Sequence, residues 1–328
     1  MFRLSLCSKK ESVVSLSATY VRVKYTKRRH TVAVGTSVMH TVLLRRAMVA
    51  LSLMLSLLMA WQTCASPLRL AINSDPTDSA VYAAVAVAKK EGLDVQVTEI
   101  NDWITPNTGL ANGDFDFNYF EHRPFLANAN QSLGLHLVPV GFGIEDKTCL
   151  YSSKHANASQ IPDGARAAIA DDPVNESRGL SLYQRAGLIT LKKATKGLAS
   201  LQDIASNPKH LKFVEMQGPM LARAISDVDV AQSYPIYVKA AGTMDLSHYL
   251  VCSNDKTGKY ALVFVSRADN RHDPRIQKFI HIYQTAPQVR AALNKVYGDA
   301  SLYELAWQKY SLNTSTPSST AASGGNHE

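Results

Sequence analysis

The sequence predicts an α/β protein with mainly parallel sheets, and two observations carry that prediction. Strand-like apolar runs alternate with helical stretches almost throughout residues 66–328, the pattern of repeated β-α-β units. Those 263 residues are also enough for two domains with proper cores. "LRLAIN" (68–73) reads as a buried strand. "SAVYAAVAVAKKEG" (79–92) reads as a helix with an Ala/Val face, lysines in its last turn and a glycine stop. "LDVQVTEI" (93–100) alternates apolar and polar residues, as a strand does. "TPNTGLANGD" is a short helix ending at Gly113, and "FDFNYF", "LHLVPVGF", "TCLYSS" and "ARAAIA" (165–170) are strands. A helix from about Asn175 to Ala186 follows. "LKFVEM" reads as a strand, "PMLARAIS" as a helix, and "VDVAQSYPIYV" and "YALVFVSR" as strands. "DPRIQKFIHIYQTAPQVRAALNKVYG" closes the fold with helices. The end, 311–328, is rich in Ser, Thr and Gly without an apolar period, and reads as a disordered tail.

The chain carries a formal charge of +8, which invites a nucleic-acid reading. Ten of the 35 basic residues and one of the 27 acids lie in 1–65, which leaves 25 against 26 in the rest. The basicity belongs to the N-terminal segment, so no nucleic-acid partner is expected. "AMVALSLMLSLLMAW" (47–61) is uncharged but too short to span a bilayer, which needs about 20 residues. Arg45 and Arg46 precede it and "TCAS" follows, the layout of a secretory signal peptide cut before Ser66. "MHTVLLRR", from Met39, reads as a better start than Met1. An uncleaved membrane anchor is the competing reading. Cys7 and Cys64 leave with this segment, and Cys149 and Cys252 remain. In an exported chain these form one disulfide or stay as two buried thiols.

Catalytic signatures are scarce. The sequence holds no H-E-x-x-H, C-x-x-C, G-x-S-x-G or Walker A stretch, and its histidines do not cluster at metal-ligand spacing. "VGFGIED" lacks the third glycine of a dinucleotide loop and reads as a turn. No enzyme, cofactor or metal is expected. "NYFEHRPFL" (118–126) concentrates aromatic and hydrogen-bonding groups at a strand end. His122 within it has neither a nucleophile nor a partner acid at recognisable spacing, which favours a pocket wall over a base. In "IADDPVNESRGL" a helix starts near Asn175 and Glu176, with Arg178 in its first turn. Helix N-termini favour anions, and an arginine adds a fork for a carboxylate. Pairing of Arg178 with Glu176 or Asp172 is the plainer alternative.

"LANGDFDFNYFEHRPFL", "IPDGARAAIADDPVNESRGLSLYQRAGLI", "NPKHLKFVEM", "DVDVA" and "HDPRIQKFI" together resemble the MetQ/NlpA methionine-binding family, over most of residues 67–298. Members are extracytoplasmic substrate-binding components of ABC importers. The resemblance implies a periplasmic-binding-protein-like fold: two α/β lobes joined by two crossover strands, with a ligand cleft between them. Lobe 1 would be 66–150 plus 250–310, and lobe 2 would be 153–248. It implies methionine or a related amino acid as ligand, an ABC permease as partner, and a monomer. Phe120 and His122 fall on the family's pocket aromatic and histidine, Trp103 falls where tyrosine is usual, and Asn175 and Arg178 fall on the head-group residues. A thioether suits such an aromatic box.

Two departures qualify that picture. Where the family has an asparagine-containing strand after "DVD", this chain has Ser233-Tyr234-Pro235-Ile236-Tyr237, so both family asparagines are replaced, by Tyr234 and Ile236, and one of the two contacts the ligand in the family. A methionine ligand is therefore less secure than an amino-acid ligand. Another amino acid, a short peptide, or a sensory or interaction role are the alternatives. The family's lipobox is also degenerate: "WQTC" has Trp61 and Thr63 at its key positions. A soluble periplasmic protein is the reading, with a lipid anchor on Cys64 as the alternative. Cys149 lies where the chain leaves lobe 1 and Cys252 where it returns, which favours a Cys149–Cys252 bridge.

Overall fold

The computed structural model describes residues 66–193, 197–242, 244–245, 248–298 and 302–312. The proposed export segment 1–65 and the tail from 313 lie outside the described residues.

The chain begins with β1 (Leu68–Asn73), buried at all but one position. α1 (Asp78–Lys90) follows, with an acid in its first turn and Lys89 and Lys90 in its last, matching the helix dipole. Then come β2 (Val95–Ile100), α2 (Thr105–Asn112), β3 (Phe117–His122), α3 (Arg123–Leu133), β4 (Leu137–Phe142) and β5 (Ile144–Asp146). α2 stops at Gly113, whose φ of 83° suits glycine. The chain then crosses into β6 (Cys149–Tyr151), β7 (Arg166–Ala170), α4 (Pro173–Arg185), β8 (Thr190–Leu191), β9 (Ile204–Ser206) and β10 (Lys212–Met216). α5 (Gly218–Leu221), β11 (Val230–Ser233), α6 (Pro235–Ala241) and β12 (Tyr249–Cys252) complete the second lobe. The return supplies β13 (Leu262–Arg267), α7 (Pro274–Thr285), α8 (Pro287–Tyr297) and β14 (Tyr303–Leu305).

Two five-stranded sheets result, ordered β2-β1-β3-β13-β4 and β10-β7-β11-β6-β12. They are mixed, not mainly parallel. β1 runs parallel to β2 and β3, but β13 is antiparallel to both β3 and β4. β7 runs parallel to β10 and β11, but β6 is antiparallel to β11 and β12. The antiparallel members arrive from the other lobe, and no α-helical crossover fixes their direction. β6 and β12 also correct the expected lobe boundaries. Residues 149–150 and 250–252 hydrogen-bond into the second sheet and so belong with lobe 2.

Both sheets are covered on both faces. Ala167 and Ile169 of β7 enter one core cluster, while Ala168 and Ala170 enter another, as a period of two requires. In the first sheet Leu68, Leu70, Phe117 and Tyr119 pack with α1, α7 and α8, and Val263 and Val265 face the opposite side. The strand expected over 228–238 ends at Ser233, because Pro235 opens α6. The glycine of "VGFG" expected in a turn, Gly143, sits between β4 and β5. A Cβ there would lie 2.1 Å from the Tyr119 hydroxyl, which accepts a bond from the Ile144 amide.

Candidate functional site

β3 delivers His122 to the end of the first sheet, and α3 fixes its ring. The His122 Nδ1 accepts from the Phe125 amide at 3.2 Å, capping α3. That assigns the proton to Nε2, which lies 3.3 Å from Asn175 Oδ1 on the opposite lobe. Burial, followed by the Arg178 charge, pulls the His122 pKa down to about 3, so the ring is neutral. Neutrality and the Asn175 bond describe a hydrogen-bonding wall, not a base.

α4 begins with Asp172 as its cap, and the Asp172 carboxylate accepts from the Asn175 amide at 2.9 Å. Asn175 spends its side chain within the protein. Its Nδ2 donates to Asp172 at 3.0 and 3.2 Å, and its Oδ1 also accepts from the Tyr234 hydroxyl at 2.9 Å. Tyr234 therefore supplies a hydrogen bond as well as bulk. Arg178 is 6% exposed and makes no ion pair among the described residues. Its guanidinium lies 4.2 Å from the Tyr260 ring centre and 5.6 Å from that of Tyr234. Nη2 donates to the Asp146 backbone carbonyl at 3.5 Å, while Nε has no partner. Neither Glu176 nor Asp172 pairs with it: Glu176 accepts from the Leu201 amide and Asp172 from Asn175.

Trp103, Phe120, His122, Asn175, Arg178 and Tyr234 all line one cavity between the lobes. Trp103 and Phe120 each meet Phe125 edge to face, at 6.1 and 6.0 Å. The same cavity is lined by Asp75, Glu121, Asp146, Tyr237 and Tyr260, which sequence reasoning missed. Asp75 lies just past the C-terminal end of β1, where open α/β sheets place their ligands. That position was the available signal. Burial raises the Asp146 pKa to about 6, with Arg178 opposing the shift, and burial raises that of Asp75 against its Thr77 bonds. No group of acidic, histidine or cysteine side chains among the described residues is arranged to hold a metal.

Residues 68–304 match the model of the NlpA lipoprotein family. The chain belongs to that family. It is 35% identical to lipoprotein 28 of Escherichia coli K12 over 70% of this chain and 85% of that one. It is 36% identical to the probable D-methionine-binding lipoprotein MetQ of Haemophilus influenzae, over 68% and 83% of the two chains. Among solved structures, a nutrient-binding protein from Burkholderia cenocepacia bound to methionine aligns with a TM-score of 0.66 at 34% identity, covering 70% of this chain and 97% of that one. The methionine-binding protein MetQ aligns with a TM-score of 0.68 at 32% identity, over 73% and 98%. A periplasmic substrate-binding protein of an ABC transporter from Coxiella burnetii shares the fold as well, with a TM-score of 0.66 at 35% identity over 71% of this chain and 97% of that one.

Proposed function

We propose that this chain is the extracytoplasmic substrate-binding component of an ABC importer, carrying methionine or a related amino acid in the interlobe cavity to a membrane permease. The observation that carries this reading is Arg178: a buried cation, held over Tyr260 and without a carboxylate partner among the described residues, in the second turn of α4 and not the first as expected, because the helix starts at Pro173. Such a group calls for a ligand carboxylate. Trp103, Phe120 and Phe125 provide an apolar wall for a side chain. The reading is of a monomer. Export leaves Ser66 as the first residue, with a lipid-anchored form starting at Cys64 as the alternative, and N-terminal sequencing separates the two.

A thermal-shift and calorimetric series over amino acids tests the assignment. A ligand at a hundred times its Kd stabilises by about 2.7 kcal/mol. That raises Tm by roughly 5–10 °C for a domain of this class. Arg178→Ala loses a charge-assisted bond and binds about ten- to a hundredfold more weakly. An Arg178→Ala protein that binds as well as native removes the clamp from the reading.

A further inference from the structure

The cavity is lined by more carboxyl groups than an ordinary zwitterion needs. Asp75, Asp146 and Glu121 line it, against the single buried cation Arg178. None of these acids makes an ion pair among the described residues. Asp75 accepts from the Thr77 amide and hydroxyl at 2.6 and 2.5 Å, and Asp146 accepts from Tyr297 at 3.2 Å. Those are neutral donors, and Asp146 feels the Arg178 charge without forming an ion pair with it. Glu121 is only 3% exposed, and its Oε1 has no partner although Oε2 accepts from Asn107. A buried, unpartnered oxygen on a cavity wall points to a polar group that arrives with a ligand.

Shape agrees with charge. The inner cavity is small, about 60 Å³. Asp75 and Tyr237 also line a wider neighbouring cavity of about 820 Å³, where the exposed Arg223 stands. Asp75 thus borders both spaces.

We infer that the cleft is built for an α-amino acid bearing a second positive charge on its side chain, with Asp75 and Asp146 facing the ligand's two cations. This rests on the amino-acid-binding reading above and narrows it. The ligand carboxylate meets Arg178, and the two aspartates meet the α-ammonium and the side-chain cation. A cation on the ligand side chain would offset the carboxylate charge that Asp75 and Asp146 bring to the cavity beside Arg178. Uncompensated charge is costly in a site shielded from water.

L-Lysine and L-norleucine share one carbon chain and differ by the terminal ammonium. Calorimetry on the exported protein should give L-lysine or L-ornithine at least about tenfold tighter binding than L-norleucine, the worth of one charge-assisted contact. In Asp75→Asn and in Asp146→Asn that ratio should fall towards one. Both variants are needed because Asp75 also holds the turn before α1. If L-norleucine and L-methionine bind native protein as tightly as L-lysine and L-ornithine, the inference is overturned. Asp75 is then only a helix-turn residue, and amino-acid binding stands. A lysine preference unchanged in both variants overturns the assignment to these aspartates. Failure of every amino acid to bind overturns the functional reading together with the inference.

Discussion

Burial pushes the Glu121 pKa up to about 8, with only the Asn107 bond opposing it. The folded protein therefore keeps this proton at pH 7, whereas an unfolded chain releases it near 4.5. Between those values the unfolded state binds fewer protons, so this residue costs stability as pH rises, by about 1.4 kcal/mol per pH unit. Glutamine has the same shape and does not titrate. Glu121→Gln should thus gain on native protein as pH goes from 5 to 7, with the Tm difference widening by several degrees. A difference that stays constant over that range would mean the carboxyl is ionised in the fold. The residues legible in the sequence were those carried by long local motifs: Phe120 and His122 on β3, and Asn175 and Arg178 on α4. Asp75 and Tyr260 come from turns, Asp146 from the end of β5 and Tyr237 from α6. Only tertiary folding brings these to one wall, so no local spacing announced them.

Among the elements, α5 and the segment after β2 meet across the cleft. Trp103 packs so closely on Gly218 that a Cβ at 218 would lie 1.9 Å from its ring. Lobe 1 can press a ring this large against lobe 2 only because residue 218 has no side chain. A ring is not the loose end of a flexible chain, so Gly218→Ala must part the lobes or turn Trp103. We expect ligand binding about tenfold weaker, mostly through faster dissociation, as for a closed state that no longer seats fully. The ligand-free Tm should stay within about 2 °C, since Trp103 only borders the first core cluster and can turn away without opening it. Stopped-flow dissociation rates equal to native would show that the Trp103–Gly218 contact plays no part in closure. The alternation of strands and helices was readable because it is local and periodic. The antiparallel direction of β6 and β13 was not, because it depends on which sheet a strand enters after crossing between lobes.

At the scale of the whole molecule, the two crossover segments lie side by side. The Ser253 amide donates to the Thr148 carbonyl at 2.8 Å, and the Thr148 amide donates to the Ser253 hydroxyl at 3.1 Å. Next to them the structure joins Cys149 to Cys252, with Cα atoms 4.0 Å apart. Both cysteines sit on strands of the second sheet, β6 and β12. The bridge therefore staples one edge of lobe 2 and does not tie lobe 2 to lobe 1. Stability and closure should respond differently to its loss. The bond closes a loop with a sequence separation of 103, which in the chain-entropy model stabilises by about 4–5 kcal/mol. Replacing both cysteines with serine should lower Tm by roughly ten degrees or more. Ligand affinity should change by no more than about threefold, because the hinge bonds of Thr148 and Ser253 remain. An unchanged Tm, with free thiols in the native exported protein, would mean the bridge does not form. A tenfold change in affinity would instead mean that the β6–β12 edge moves during closure, and that the bridge acts on the hinge after all.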